Sequence, residues 1–254
     1  HYTTLIVRNN SLDGILLYTA IFNNFSNITI YGSGDDGFQL WDSDNNVINN
    51  LTTFNNTGDG INIYSAADLN QFTDIVAYNN DYCVNVQEAP NYLINVNATN
   101  CNRGINLREQ SQSTPSMIYD SYVSENARGV SFYIASSVII NNITSKNNSV
   151  GIFIERASNY NNISNSHIIN NSIGIDINQG GVISTDNYIY NNYFNNTINF
   201  EIVGGFGTEN FLNVSLTTDT NIIGENFIGG NYWTNSTGDG YSDTCTDDVA
   251  PIGI

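Results

Sequence analysis

The chain has 254 residues of which only 12% are charged, yet its formal charge is -18, because 24 Asp and Glu face six Lys and Arg. Those six, Arg8, Arg103, Arg108, Arg128, Lys146 and Arg156, are too few for a nucleic-acid or anionic-membrane partner. No apolar run approaches the roughly 18 residues of a membrane-spanning helix.

The chain opens on His1-Tyr2-Thr3-Thr4, already strand-like, and reads either as a mature exported product that has lost its leader or as a trimmed piece. No amphipathic helix precedes the first expected strand, Thr4 to Arg8, so either residues are missing or another copy covers that end. A phrase Gly-apolar-X-apolar then recurs, with its glycine at Gly14, Gly37, Gly60, Gly104, Gly129, Gly151 and Gly174, and with Cys83 and Asn199 in the same slot. Successive separations are 23, 23, 23, 21, 25, 22, 23 and 25 residues. The two apolar positions after the slot run from Ile15 and Leu17 to Phe200 and Ile202, an alternation that predicts a strand with one buried face.

Weaker apolar sets lie eleven residues before the slot (Phe72, Leu93, Ile118, Ile140, Ile163) and eight before it (Ile75, Val96, Ile143). Each repeat thus holds two or three short strands and too few residues for a crossover helix. Four before the slot stand Asn10, Asn56, Asn79, Asn100, Asn147, Asn170 and Asn195, amides suited to a left-handed bend and to stacking along a coil axis. Strands of this kind bury their apolar side only if the chain coils and each pairs in parallel with its copy one turn later. The expected fold is an all-β parallel β-helix (solenoid) of about nine coils of 21–25 residues, a rod roughly 40 Å long.

After Ile202 the register fades, so residues 1–203 are read as the β-helix and 204–254 as last coils with an irregular cap or docking tail. Val203-Gly204-Gly205-Phe206-Gly207 is a glycine-rich excursion, and a late strand pair is expected in Phe211 to Leu216 and Asn221 to Ile228. In the tail, Asn235, Thr237, Asp239 and Asp243 have the oxygen spacing of a calcium loop with Gly240 in the turn, although Thr246 stands where a bidentate Glu belongs. The alternative is a plain polar turn.

Cys83 and Cys101 lie one repeat apart and can bridge if their Cα atoms come within roughly 7 Å. Cys245 would then be left for a link between molecules or as an unpaired thiol. Asn-X-Ser/Thr sequons at Asn24, Asn27, Asn50, Asn97, Asn142, Asn162, Asn213 and Asn235 fit an exterior location, though so Asn-rich a chain produces them by chance.

The repeat, with its Asn-Asn bend and Gly-Ile-X-Ile strand, resembles the right-handed parallel β-helix repeats of NosD-like and pectin-lyase-like proteins. The closing Gly229-Gly230-Asn231-Tyr232-Trp233 through Gly238-Asp239-Gly240-Tyr241-Ser242-Asp243 resembles the end of archaeal cell-surface proteins of that group. The right hand of the coil and an extracellular, envelope location follow from this resemblance.

Stacked coils turn each repeat position into a surface column. Immediately before the slot the column reads Asp13, Asp36, Asp59, Tyr82, Arg103, Arg128, and four after the slot Tyr18, Trp41, Tyr64, Gln87, Arg108, Tyr133, Glu155. With Gln39, Asn62, Asn85 and Asn106 these form one outward face suited to a polysaccharide, its rings stacking on sugars; Tyr18, Trp41, Tyr64, Arg108 and Tyr133 are the candidate contacts. Asp35, Asp36 and Asp59 are candidate acid and base groups. The resemblance implies a lyase arrangement, in which acids hold calcium beside an arginine that removes a proton; Asp36, Asp59, Arg103 and Arg128 are the nearest analogues. Stacked like charges favour neutralisation by calcium or by an intermolecular contact. The structural alternative is a solvated acidic face with stabilising aromatic ladders. Copper, which the NosD name suggests, would have to use His1, His167, Met117 or the cysteines, and this set is sparse.

No cofactor is required by this reading. The expected role is a self-assembling building block of an archaeal envelope, a sheath or surface layer whose partners are copies of itself. The alternatives are a lyase or hydrolase of envelope glycan and a noncatalytic carbohydrate-binding or adhesion module.

Overall fold

The structure is a computed structural model describing residues 4–87, 90–109, 114–178, 180–204 and 209–245. The chain coils into an all-parallel β-solenoid. One side is a nine-stranded sheet made by the phrase after each slot, from Ile15–Tyr18 through Val150–Glu155 to Ile198–Val203. Each strand pairs with its own copy one turn on, as in Ile105↔Val130 and Ile152↔Ile175. The other side is a fourteen-stranded sheet built from the segments before the slot. After the short Leu5–Arg8, its early members are eight residues long, for example Gln71–Tyr78 and Tyr92–Thr99. After Tyr92–Thr99 the row splits into two, beginning with Met117–Tyr119 and Tyr122–Ser124, which both pair with that strand. The apolar set eleven before the slot falls on the first of these rows, with Ile118, Ile140 and Ile163. The set at eight before does not mark the second row: Ile143 precedes Thr144–Lys146, and the inward residues there are Val123, Ser145 and Ile168, because a corner residue separates the two rows once the strand splits.

The core is the column of inward residues. Phe38, Ile61, Val84, Ile105, Val130, Ile152 and Ile175 form one stack with no exposed surface, and Leu40, Ile63, Leu107, Phe132, Ile154 and Ile177 a second. Period-two alternation explains both, because every second side chain of a strand points to the same face.

The Asn column, one device in the sequence pattern, divides into two jobs in the structure. Asn79, Asn100, Asn147 and Asn170 take positive φ (55°, 54°, 56° and 56°) and turn the chain at the bend. The next residue carries the buried ladder: Oδ1 of Asn148 accepts from Asn126 N (2.9 Å), Asn171 from Asn148 N (2.8 Å), and Asn196 from Asn171 N (3.0 Å). A second ladder, Asn23, Asn46, Asn70, Asn91, buried from Asn46 onward, runs down another corner. Backbone N–H groups freed by the bends thus find acceptors one turn away, as buried donors must.

Cys83 and Cys101 form the bridge, with Cα atoms 5.7 Å apart. Cys245 is a free, exposed thiol. The late strand pair exists but is shorter than expected and shifted: Thr217–Thr218 pairs antiparallel with Phe227–Ile228, while Phe211 makes only an isolated bridge to Tyr188. Polar Thr and Asn between the apolar residues there leave little to bury, so the ladder ends after two residues. The strand Tyr232–Thr234 returns to the solenoid and pairs with Tyr193–Asn195. A short helix, Tyr241–Thr244, follows it. Residues 205–207 of the glycine-rich excursion, Thr246 and His1 lie outside the described residues.

Candidate functional site

The outward side of the nine-stranded sheet brings together the columns expected from the sequence. Residues just before the slot reach across to those two after it: Asp36 Oδ2 accepts from Gln39 Nε2 (3.0 Å) and Asn62 Nδ2 (2.7 Å), and Arg103 Nη1 donates to Asn106 Oδ1 (2.6 Å). Down the first column each carboxylate accepts the backbone N–H one turn on: Asp13 from Asp36 N (3.1 Å), Asp36 from Asp59 N (2.7 Å), and Asp59 from Tyr82 N (3.1 Å). Arg103 and Arg128 continue that line, Tyr82↔Arg103↔Arg128 in register. Asp35 sits at the exposed edge of the acid group, and one carboxylate oxygen from each of Asp13, Asp35 and Asp36 lies within 4.8 Å of the others.

Stacking carboxylates in this way has an electrostatic consequence. Burial first, and then the charge of Asp36, push the Asp59 carboxyl up from the ordinary 3.8 to about 7, although Asn85 donates to it. Burial also raises Asp36 and Asp13. Asp59 therefore changes protonation near neutrality, which suits a proton donor or acceptor. Backbone N–H and amide donors relieve part of the stacked charge, and a proton on Asp59 relieves a further part.

A pH test follows. Because the folded-state pKa of Asp59 lies above its unfolded value, the native state binds the proton more tightly between about 4 and 7. Its contribution to stability is full below that window and is lost as pH rises through it. Urea midpoints should fall as pH rises across the window, and Asp59→Asn should flatten the profile; an unchanged slope in the variant would show that Asp59 is not the titrating group.

The aromatic column lies on the same face, five residues further along each turn. Tyr18, Trp41 and Tyr64 stand on consecutive turns, 63%, 40% and 38% exposed, with ring centroids 6.1 and 5.1 Å apart. Arg108 and Tyr133 continue it, the guanidinium 5.3 Å from the ring centre. Sequence reasoning missed Phe153 and Asp176, two after the slot on the later turns. Both continue the column of Gln39, Asn62, Asn85 and Asn106, which the repeat spacing extends to them. The tail residues lie apart: Asp239 Oδ1 accepts from Asn235 Nδ2 (2.8 Å) and Thr237 Oγ1, and Asp243 from Tyr232 (2.6 Å), Gly240 N (2.8 Å) and Thr234. That turn closes on hydrogen bonds within the protein.

Coil and face together define the class: a parallel β-solenoid carrying a polar and aromatic track on one sheet. The chain belongs to the family described as periplasmic copper-binding protein (NosD), which it matches over residues 66–238. Residues 3–116 also match the right-handed β-helix region. Among solved structures it is similar to the A-module of mannuronan C-5 epimerase AlgE4 from Azotobacter vinelandii, with TM-score 0.58 and 19% identity over 75% of this chain and 58% of that one. It is also similar to the periplasmic alginate epimerase AlgG, with TM-score 0.60 and 10% identity over 73% of this chain and 50% of that one. The chain thus spans little more than half the length of these structures, and at such identity the likeness is one of fold. No curated protein matches the sequence significantly. Family membership and the disulfide place the chain outside the cytoplasm.

The family description implies copper, whose usual protein ligands are imidazole, thiolate and thioether. His167 packs against Tyr193 with ring centroids 5.6 Å apart, Met117 Sδ accepts from Tyr119, and Cys83 and Cys101 are bonded to each other. Among the described residues, the one group of three acidic, His or Cys side chains close enough to share an ion is the carboxylate set of Asp13, Asp35 and Asp36, hard oxygens rather than copper ligands. The described residues do not fit copper.

Proposed function

We propose that the outward face of the nine-stranded sheet binds a polysaccharide laid across successive turns, and that the protein is a carbohydrate-active protein acting outside the cytoplasm with Asp59 as its proton-transfer group. The observation that carries this reading is that the exposed Tyr18, Trp41, Tyr64 ladder shares one sheet face with the column of Asp13, Asp36 and Asp59, in which the Asp59 carboxyl has its pKa at about 7. Aromatic faces suit the C–H faces of sugars, and a group poised near neutrality suits proton transfer to or from them. The mannuronan and alginate epimerases that share the fold show that a β-solenoid can host such chemistry, and lend support without fixing the reaction.

Glycan-array binding followed by product analysis tests the proposal. Trp41→Ala is expected to weaken binding about tenfold, whereas Asp59→Asn should spare binding and abolish turnover. A different outcome favours the second reading, the archaeal envelope building block, which draws on the exposed thiol of Cys245 and on the tail motif. Binding to no glycan, together with ordered tubes or sheets in the electron microscope that come apart only with a reductant, would replace the first reading by the second.

A further inference from the structure

A chain of net charge -18 has six Lys and Arg in all, and four of them fall on three consecutive turns: Arg103, Arg108 and Arg128 on strands of this sheet, and Arg156 directly after the strand Val150–Glu155. Each guanidinium lies against an aromatic ring: Arg103 at 5.1 Å from the centre of Tyr82, Arg128 at 3.7 Å from that of Phe153, and Arg108 and Arg156 at 5.3 and 5.6 Å from that of Tyr133. An arginine stacked in this way keeps its N–H edge directed along the surface, where it can meet a planar anion with two donors. Arg103 and Arg128 are direct neighbours in register, on strands about 4.8 Å apart. Burial and then the charge of Arg103 lower the pKa of Arg128. Among the described residues the carboxylate within ion-pair range of these two is Glu155, 3.9 Å from Arg128. Two adjacent cations with so distant a counter-charge are stabilised by an anion that bridges them.

A second observation is independent of the arginines. Asp176, the outward residue two turns beyond Ser131 by way of Phe153, is only 8% exposed, and its Oδ1 has no hydrogen-bond partner. A buried carboxylate oxygen without a donor is costly, and a ligand hydroxyl removes that cost. Arg128 lies over the ring of Phe153, the register neighbour of Asp176, so the two belong to one locality; Glu201 is the neighbour of Asp176 on its other side.

We infer that this part of the face is a subsite for an acidic sugar residue, with Arg103 and Arg128 taking its carboxylate and Asp176 accepting a hydrogen bond from one of its hydroxyls. The inference rests on the glycan reading above and narrows it to carboxylated glycans. The remainder of so acidic a surface repels a polyanion, so the arginines decide where along the coil such a chain lands.

Binding of polygalacturonate, of the same polymer with its carboxyls reduced to alcohols, and of dextran sulfate is measured by affinity electrophoresis. Wild type is compared with the double variant Arg103→Gln/Arg128→Gln and with Asp176→Asn, and thermal unfolding checks that each variant is folded. The expected result is at least about tenfold tighter binding of the acidic than of the reduced polymer. That preference should be erased in the double variant, and Asp176→Asn should weaken both polymers. Equal binding of the two uronate-derived polymers by wild type, an unchanged preference in the double variant, or equal retention of dextran sulfate overturns the inference and leaves a glycan face standing. Binding to none of these polymers nor to any neutral glycan removes the glycan reading itself.

Discussion

Asn171→Leu is expected to destabilise the protein by about 4 kcal/mol, lowering the melting temperature by roughly 10 °C. Asn171 is 1% exposed, and its amide works in both directions: Oδ1 accepts from the backbone and side chain of Asn148 (2.8 and 3.1 Å), while Nδ2 donates to Ser145 O (3.0 Å) and Asn196 Oδ1 (2.9 Å). Leucine fills the space but leaves the Asn148 N–H buried without a partner, at about 1–3 kcal/mol, and removes the hydrogen bonds to Ser145 O and Asn196 Oδ1, at about 1 kcal/mol each. The neighbouring residue gives the contrast. Asn170 stands at φ 56°, where glycine is at home, so Asn170→Gly should be neutral within about 1 kcal/mol. Equal losses in the two variants, read by denaturant titration, would mean that ladder and bend are not separate devices.

The second large effect concerns the disulfide. At ordinary turns the slot glycine faces the ladder amide of the next turn, and a Cβ there would lie 2.7 Å from Asn80 Nδ2 at Gly60 and 2.8 Å from Asn171 Nδ2 at Gly151. At one turn both partners change together: the slot holds Cys83 and the ladder position holds Cys101. The bridge thus occupies the place of a Gly–Asn contact. Cys83→Ser/Cys101→Ser is expected to cost about 3 kcal/mol, the value for cross-linking a loop of this size, because it removes the link and restores neither member of the regular pair. Cys83→Gly/Cys101→Asn should recover most of that loss, since Cys101 N already donates to Asn126 Oδ1 (2.9 Å) as a ladder residue does. Calorimetry with and without reductant decides: wild type should lose stability on reduction and the Gly/Asn variant should not. If the Gly/Asn variant is no more stable than the double serine, the two pairings are not equivalent.

The same register explains how much of the site could be read in advance. Asp13, Asp36, Asp59, Tyr82, Arg103 and Arg128 share one repeat position, and a solenoid converts equal sequence phase into adjacency, so the column needed only the period. Tyr18, Trp41 and Tyr64 were legible for the same reason. The pKa of Asp59 was not, because it depends on how far the neighbouring turns bury the carboxyl, on the charge of Asp36 and on the hydrogen bond from Asn85. Nor was the orphaned oxygen of Asp176, which depends on which neighbours happen to lack a donor. The tail shows the converse: beyond Ile202 the period is lost, and the expected strand pair came out shorter and shifted.

By itself the sequence determined the coil: apolar residues alternating at a spacing near 23 can be buried only by parallel stacking, and that stacking settles which side chains share a face. Tertiary structure alone decided what those shared positions do. Whether an asparagine bends the chain or carries the ladder is a matter of one residue's phase at a corner, and whether an aspartate is charged or holds its proton depends on water and partners that belong to neighbouring turns. Period is a property of the chain, whereas solvation and hydrogen-bond pairing are properties of the packed assembly of turns.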